Sequence, residues 1–134
     1  MDGANKLKKI LIVDDDADVR HFMKEYFKVI GGYKVLVAKG GSMGQWLASC
    51  RWHKPDLILL DIMMPKMNGF SLLRILKRKP QTSSIPVIMV TGRRDVHARR
   101  KAYDLGCEDF LIKPLDLGVV KSKVEAALQK KTSG

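Results

Sequence analysis

The sequence predicts one α/β domain, a doubly wound five-stranded parallel sheet with a helix after each strand. Three observations carry that prediction. Short apolar runs of strand length alternate five times with stretches whose apolar residues recur at helical spacing. Most of the strand-like runs are continuously apolar, as strands buried on both faces are. Several of them end in a polar residue suited to chemistry, and in open parallel sheets ligands bind at that carboxyl edge.

Residues 9–13 (KILIV) form the first strand and run into Asp14, Asp15 and Asp16. Val19, Phe22, Met23, Tyr26, Phe27 and Ile30 then fall on one stripe, so Ala17–Ile30 is an amphipathic helix, ended by Gly31 and Gly32. Tyr33–Ala38 alternates as the second strand. Ser42 stands where it could cap a second helix running to about Cys50. That helix is weak, because Gly44 inside it costs ~1 kcal/mol relative to alanine. Residues 57–60 form the third strand, which ends at Asp61. Asn68 caps a third helix with Phe70, Leu73 and Leu76 inward. Residues 86–90 form the fourth strand, with Thr91 next in the chain. Residues 95–105 are helical, with Ala98, Ala102 and Leu105 inward and Gly106 as the stop. Residues 109–113 form the fifth strand, ending at Lys113. Leu117, Val120, Val124 and Leu128 stripe the last helix, and residues 130–134 read as a frayed tail.

A chain of 134 residues, 46% of them hydrophobic, suffices for one core. The longest apolar runs are too short to span a bilayer, and the basic start of the chain lacks the apolar stretch of a signal peptide. No membrane association is expected. Cys50 and Cys107 show no metal-ligand spacing, so a reduced, cytoplasmic setting is the simplest expectation. Lys and Arg number 25 against 14 Asp and Glu, a net charge of +11. This is either a basic solvated surface or the counterpart of an acidic partner, protein or nucleic acid. Because Asp14, Asp15, Asp16 and Asp18 crowd together, the remaining surface is more basic than the net figure.

The strand ends gather several carboxylates, a hydroxyl and an ammonium at one crevice. Carboxylates packed together raise one another's pKa unless a cation joins them. No His or Cys is near in sequence, and an oxygen-only site of this kind favours Mg2+. A carboxylate can attack phosphorus to give an aspartyl phosphate, with a metal, a lysine and a hydroxyl stabilising charge on the phosphoryl oxygens. Taken singly, an acidic pair is a common turn, a strand-end threonine a common β-former, and Lys-Pro a common turn. Their fall on one sheet edge argues for a site.

Residues 8–130 resemble the receiver domain of bacterial response regulators. The resemblance is carried by ILIVDDD at 10–16, PDLILLDIMMPKMNGF at 55–70, PVIMVTG at 86–92 and GCEDFLIKP at 106–114. It implies a flavodoxin-like sheet of strand order 2-1-3-4-5, a receiver domain over 8–130, and tails at 1–7 and 131–134. It implies phosphorylation of Asp61 by a sensor histidine kinase or a histidine phosphotransfer protein. Mg2+ would be held by Asp14, Asp15, Asp61 and the backbone carbonyl of Met63. Thr91 and Lys113 would serve the phosphoryl group, Thr91 and Phe110 would act as the switch, and the Lys113-Pro114 bond would be cis. Asp16 resembles a helix cap rather than a ligand. The output surface would be the face of helix four, strand five and helix five, where Arg99 suits an acidic partner. Met63 and Arg93 would border the approach of water to the phosphoryl group, and a long-lived phosphorylated state is expected. Lys66 and Asn68 stand where Gly and Asp are more usual, and Gly92 where Ala or Ser is. Arg93 is placed to touch the phosphate or solvent, and Arg94 solvent.

Such a protein is a switch and not an enzyme, catalysing only its own phosphorylation and dephosphorylation. With the chain ending after the fifth helix, it is expected to be a stand-alone receiver or a receiver cut from a longer regulator or hybrid kinase. A nucleic-acid binder on the same scaffold is the rival suggested by the charge, but no recognised nucleic-acid motif is present and no specific binding is expected. A hydrolase with an aspartyl intermediate is disfavoured, because Met63 offers no acid or base. His21, His53 and His97 are scattered surface histidines. Trp46 and Trp52, flanking the weak second helix, are expected in or at the edge of the core.

Overall fold

The computed structural model describes residues 7–92 and 96–133, with side chains through residue 130. The elements run β1 (Lys8–Val13), α1 (Ala17–Ile30), β2 (Tyr33–Ala38), α2 (Gly41–Ser49), β3 (Leu57–Asp61), α3 (Gly69–Arg78), β4 (Val87–Thr91), α4 (Val96–Asp104), β5 (Asp109–Ile112) and α5 (Leu117–Ser133). All strand pairs are parallel and the sheet order is β2-β1-β3-β4-β5.

The apolar runs explain this arrangement. Successive side chains of β1 point to opposite faces, and both faces are covered. Leu11 and Val13 join Ile58, Leu60, Leu72, Leu76 and Phe110 in one core cluster, which holds α2, α3 and α4 against the sheet. Ile10 and Ile12 join Phe27, Leu57, Leu59 and Val124 in the other, which holds α1 and α5. The register sets Val13 beside Leu60, Asp61 beside Val90 and Thr91 beside Ile112. The strands therefore finish within two residues of one another, and the residues at and just beyond their ends meet at one edge. Among the described residues no helix is long and apolar enough to cross a membrane.

Local capping agrees with the sequence in two places. Asp16 is the N-cap of α1 and accepts from the backbone N–H groups of Asp18 and Val19. Asn68 caps α3 by accepting from Ser71 N–H at 3.0 Å. At α2 the structure differs. Ser42 lies inside the helix, and Gly40 occupies the N-cap with no side-chain hydrogen bond. Gly44 is also more than a weak point. A Cβ there would meet Val13 at 3.0 Å and Leu72 at 3.3 Å, so glycine lets α2 lie close on β1 and α3. Helix α5 continues through residues 131–133, where the periodicity predicts a tail.

The tryptophans correct a further expectation. Trp46 is 62% exposed, because the buried positions of α2 are Gly41, Gly44 and Ala48, and Trp52, in the turn after the helix, is 78% exposed. Small residues and the partly buried Leu47 pack that helix, while Met43 and Trp46 are left outside.

Candidate functional site

The carboxyl edge of β1, β3 and β4, with the residue after β5, brings five expected residues together. Asp14 comes directly after β1 and Asp61 ends β3, each only 3% exposed. Asp15 beside them is exposed. One carboxylate oxygen from each of Asp14, Asp15 and Asp61 lies within 4.8 Å of the others. Among the described residues no other such group of His, Cys, Asp or Glu occurs. Lys113 reaches back from β5, its Nζ 3.2 Å from Asp14 Oδ2 and 3.8 Å from Asp61 Oδ1. Thr91 ends β4 and is fully buried. Its carbonyl accepts from Lys113 N–H at 2.8 Å, which ties the ends of β4 and β5 together. The Lys113-Pro114 bond is cis.

The electrostatics result from that crowding. Burial, and then the charge of Asp14, push the Asp61 carboxyl up to about 7 from the ordinary 3.8. Lys113 and the N–H of Met63, 3.3 Å from Asp61 Oδ1, pull the other way but do not balance them. Among the described residues, Lys113 is the cation paired with carboxylates of this group of three. Its donors are all oxygens, and their mutual repulsion is relieved by a hard divalent cation, so the residues present fit Mg2+.

Other groups hold the carboxylates in place. Asp14 Oδ1 accepts from Asp16 N–H at 2.9 Å, while Arg20 Nη1 donates to the Asp14 carbonyl at 2.7 Å. After Asp61 the chain folds back so that Gly69 N–H donates to the Ile62 carbonyl at 2.8 Å. A Cβ on Gly69 would meet Ile62 Cα at 2.7 Å. In this loop Met63 is 55% exposed and Met64 buried. Lys66 has φ 67°, a conformation that suits glycine better than lysine. Arg20 and Gly69 are contributors that sequence reasoning missed. Arg20 sits six residues past Asp14 and acts on a backbone atom, which leaves no residue-type signal. The Asn68-Gly69 pair opening an amphipathic helix is a turn signal, but it does not reveal the backbone lying behind it.

Phe110 is buried in the cluster under α4. Beyond it, Asp109 accepts from Lys123 Nζ at 2.8 Å and from the Tyr103 hydroxyl at 3.2 Å, and Arg99 is exposed nearby on α4. Arg93 and Arg94 lie outside the described residues. Of the histidines, His21 and His97 are exposed, and His53 is half-buried beside Trp46.

A family model described as the response regulator receiver domain matches residues 10–125. The chain is 36% identical to the DNA-binding dual master transcriptional regulator RpaA of Synechocystis, over 92% of this chain and 50% of that protein. It spans about half the length of several of the curated relatives it matches. Among solved structures, a CheY-like response regulator receiver domain protein of Methanospirillum hungatei superposes with a TM-score of 0.87 at 26% identity, covering 96% of this chain and 98% of that one. The receiver domain of a signal transduction histidine kinase of Syntrophus aciditrophicus gives 0.80 at 32% identity, covering 92% and 91%.

Proposed function

Because the chain belongs to the response regulator receiver domain family of two-component signalling, we propose that it accepts a phosphoryl group on Asp61 and passes its presence to an output surface. The observation carrying this reading is the buried Asp61 carboxylate, grouped with Asp14 and Asp15 and faced by Lys113.

The donor is a phosphohistidine on a sensor histidine kinase or histidine phosphotransfer protein. An Asp61 oxygen attacks phosphorus and the P–N bond breaks. The donor imidazole keeps the electron pair and takes up a proton. Only ionised Asp61 attacks, so whatever lowers its pKa favours the reaction. Asp14, Asp15, Asp61 and the Met63 carbonyl would hold Mg2+, which would supply positive charge favouring ionised Asp61 and offsetting charge on the phosphoryl oxygens. Lys113 turns from Asp14 to a phosphoryl oxygen, forming a charge-assisted hydrogen bond. The Thr91 hydroxyl donates to another oxygen. Movement of Thr91 alters the packing around Phe110, and α4, β5 and α5 respond by a shift between pre-existing arrangements. Arg99 gives that face a fit for an acidic partner. The chain catalyses only the gain and loss of its own phosphoryl group.

Incubation with acetyl phosphate and Mg2+ should add one acid-labile phosphoryl group, read by intact mass. Equal labelling of Asp61→Ala, or labelling indifferent to EDTA, would overturn the proposal.

A further inference from the structure

We infer that the outer face of α2, with the groove at its N-terminal end, is a docking surface for an acidic amphipathic segment of a protein partner. This surface lies on a different element from the α4, β5 and α5 face, and the inference stands whether or not Asp61 is phosphorylated.

Three large apolar side chains define the face. Met43 is 46%, Trp46 62% and Trp52 78% exposed. Met43 and Trp46 are three residues apart on α2, so they share a helix face. Trp46 reaches the ring of His53 at 6.3 Å, which carries the patch into the turn that holds Trp52. Single exposed apolar residues are ordinary, but two tryptophans and a methionine on one short segment are not. Tryptophan is also the residue type most often found to dominate interface energetics.

A groove adjoins them. Met43 is shared between this face and a groove walled by Lys39, Pro65, Lys66 and Met67. Methionine side chains adapt their shape to an apolar guest. Lys66 holds its place at φ 67°, where glycine would be less costly, and both it and Lys39 line this groove.

The charge decides the occupant. Residues 26–55 contain no Asp or Glu at all, while Arg51 and Lys54 flank Trp52 in the chain and Lys39 lines the groove beside Met43. A second copy of this chain would bring like charge against like. A flat anionic lipid surface would leave the groove unfilled, and a nucleic acid would find apolar Met and Pro walls where bases need stacking or hydrogen bonds. A helix with an apolar stripe and acidic flanks satisfies all three features, its apolar residues against Trp46 and in the groove and its carboxylates toward the lysines.

Trp46 and Trp52 are the only tryptophans in the chain, so their fluorescence reads occupancy directly. The probe is a synthetic helical peptide with leucine at i, i+3, i+4 and i+7 and glutamate elsewhere. It should give a saturable blue shift. Affinity should fall at least ~10-fold in the Lys39→Glu, Lys66→Glu double variant and in Trp46→Ala, where Trp52 remains as reporter. Lys121→Glu, on exposed α5, should leave it unchanged. The proposal fails if the peptide does not saturate, if a peptide with lysine replacing glutamate binds equally, or if the variants bind as the native chain does. It fails equally if phosphatidylserine vesicles or single-stranded DNA bind more tightly than the peptide at physiological salt. These readings do not involve Asp61, so they stand or fall separately from phosphoryl acceptance.

Discussion

Asp61 is held in a state that costs stability in the metal-free protein. Its carboxyl is raised to about 7 by burial and by Asp14, so the folded chain binds a proton more tightly than the unfolded chain does. A raised value gives stability that is full below the ordinary 3.8 and is lost as pH climbs through about 7. In EDTA, therefore, Asp61→Asn should gain on the native protein as pH rises from about 4 to about 8, by on the order of 2 kcal/mol once solvent screening at the open edge is allowed for. Urea denaturation at both ends of that range measures it. A gap that stays constant would show that the carboxyl is not raised. Added Mg2+ should stabilise the native chain more than the variant. Met63 gives a second prediction. It stands two residues past Asp61, is half exposed and apolar, and offers water no partner near the phosphoryl group. Met63→Asn should shorten the life of phosphorylated protein several-fold, measured as phosphate release, and an unchanged rate would remove the shielding argument. The placement of Asp14, Asp61, Thr91 and Lys113 was legible because a run of apolar residues marks where each strand ends. Arg20 was not, because a side chain that serves a carbonyl leaves no trace in residue type.

The segment from β3 into α3 holds its shape through Gly69. The backbone of Asp61 and Ile62 stands where a side chain at Gly69 would go, and backbone cannot step aside. Gly69→Ala should cost roughly 1–3 kcal/mol and weaken Mg2+ binding through displacement of the loop. Gly41 is the internal control. The three atoms nearest a Cβ there all belong to the Met67 side chain, which can yield more than backbone can, so Gly41→Ala should cost less. Denaturant titration of the two variants decides it, and equal losses would mean that loop geometry is not what Gly69 protects. Helix α2 shows where element reading ran out. Its apolar residues could be counted, but the fully buried positions were taken by Gly41, Gly44 and Ala48, so residue-type averages put Trp46 on the wrong side, as they did Trp52 in the turn that follows.

The molecule as a whole is a parallel sheet buried between two apolar layers inside a basic shell. Fold class came from alternation of period alone, whereas strand order came from family resemblance, since nothing in a β-run names its neighbour. The charge is spread over several elements without a recognition helix carrying base-reading side chains. Anisotropy titrations with duplex DNA should show binding that is weak, indifferent to sequence and largely abolished between low and physiological salt. Tight selective binding at physiological salt would reverse that view.

The ion pair between Lys113 and Asp14 joins residues 99 positions apart. During synthesis the three aspartates are made long before the lysine that offsets them, and β5 is the last strand to arrive. Until it docks, the acids repel one another without relief, and contacts between such distant residues form late because closing the intervening chain is costly in entropy. A nascent chain that has not yet placed β5 thus carries Asp14, Asp15 and Asp61 without the lysine that pairs with Asp14.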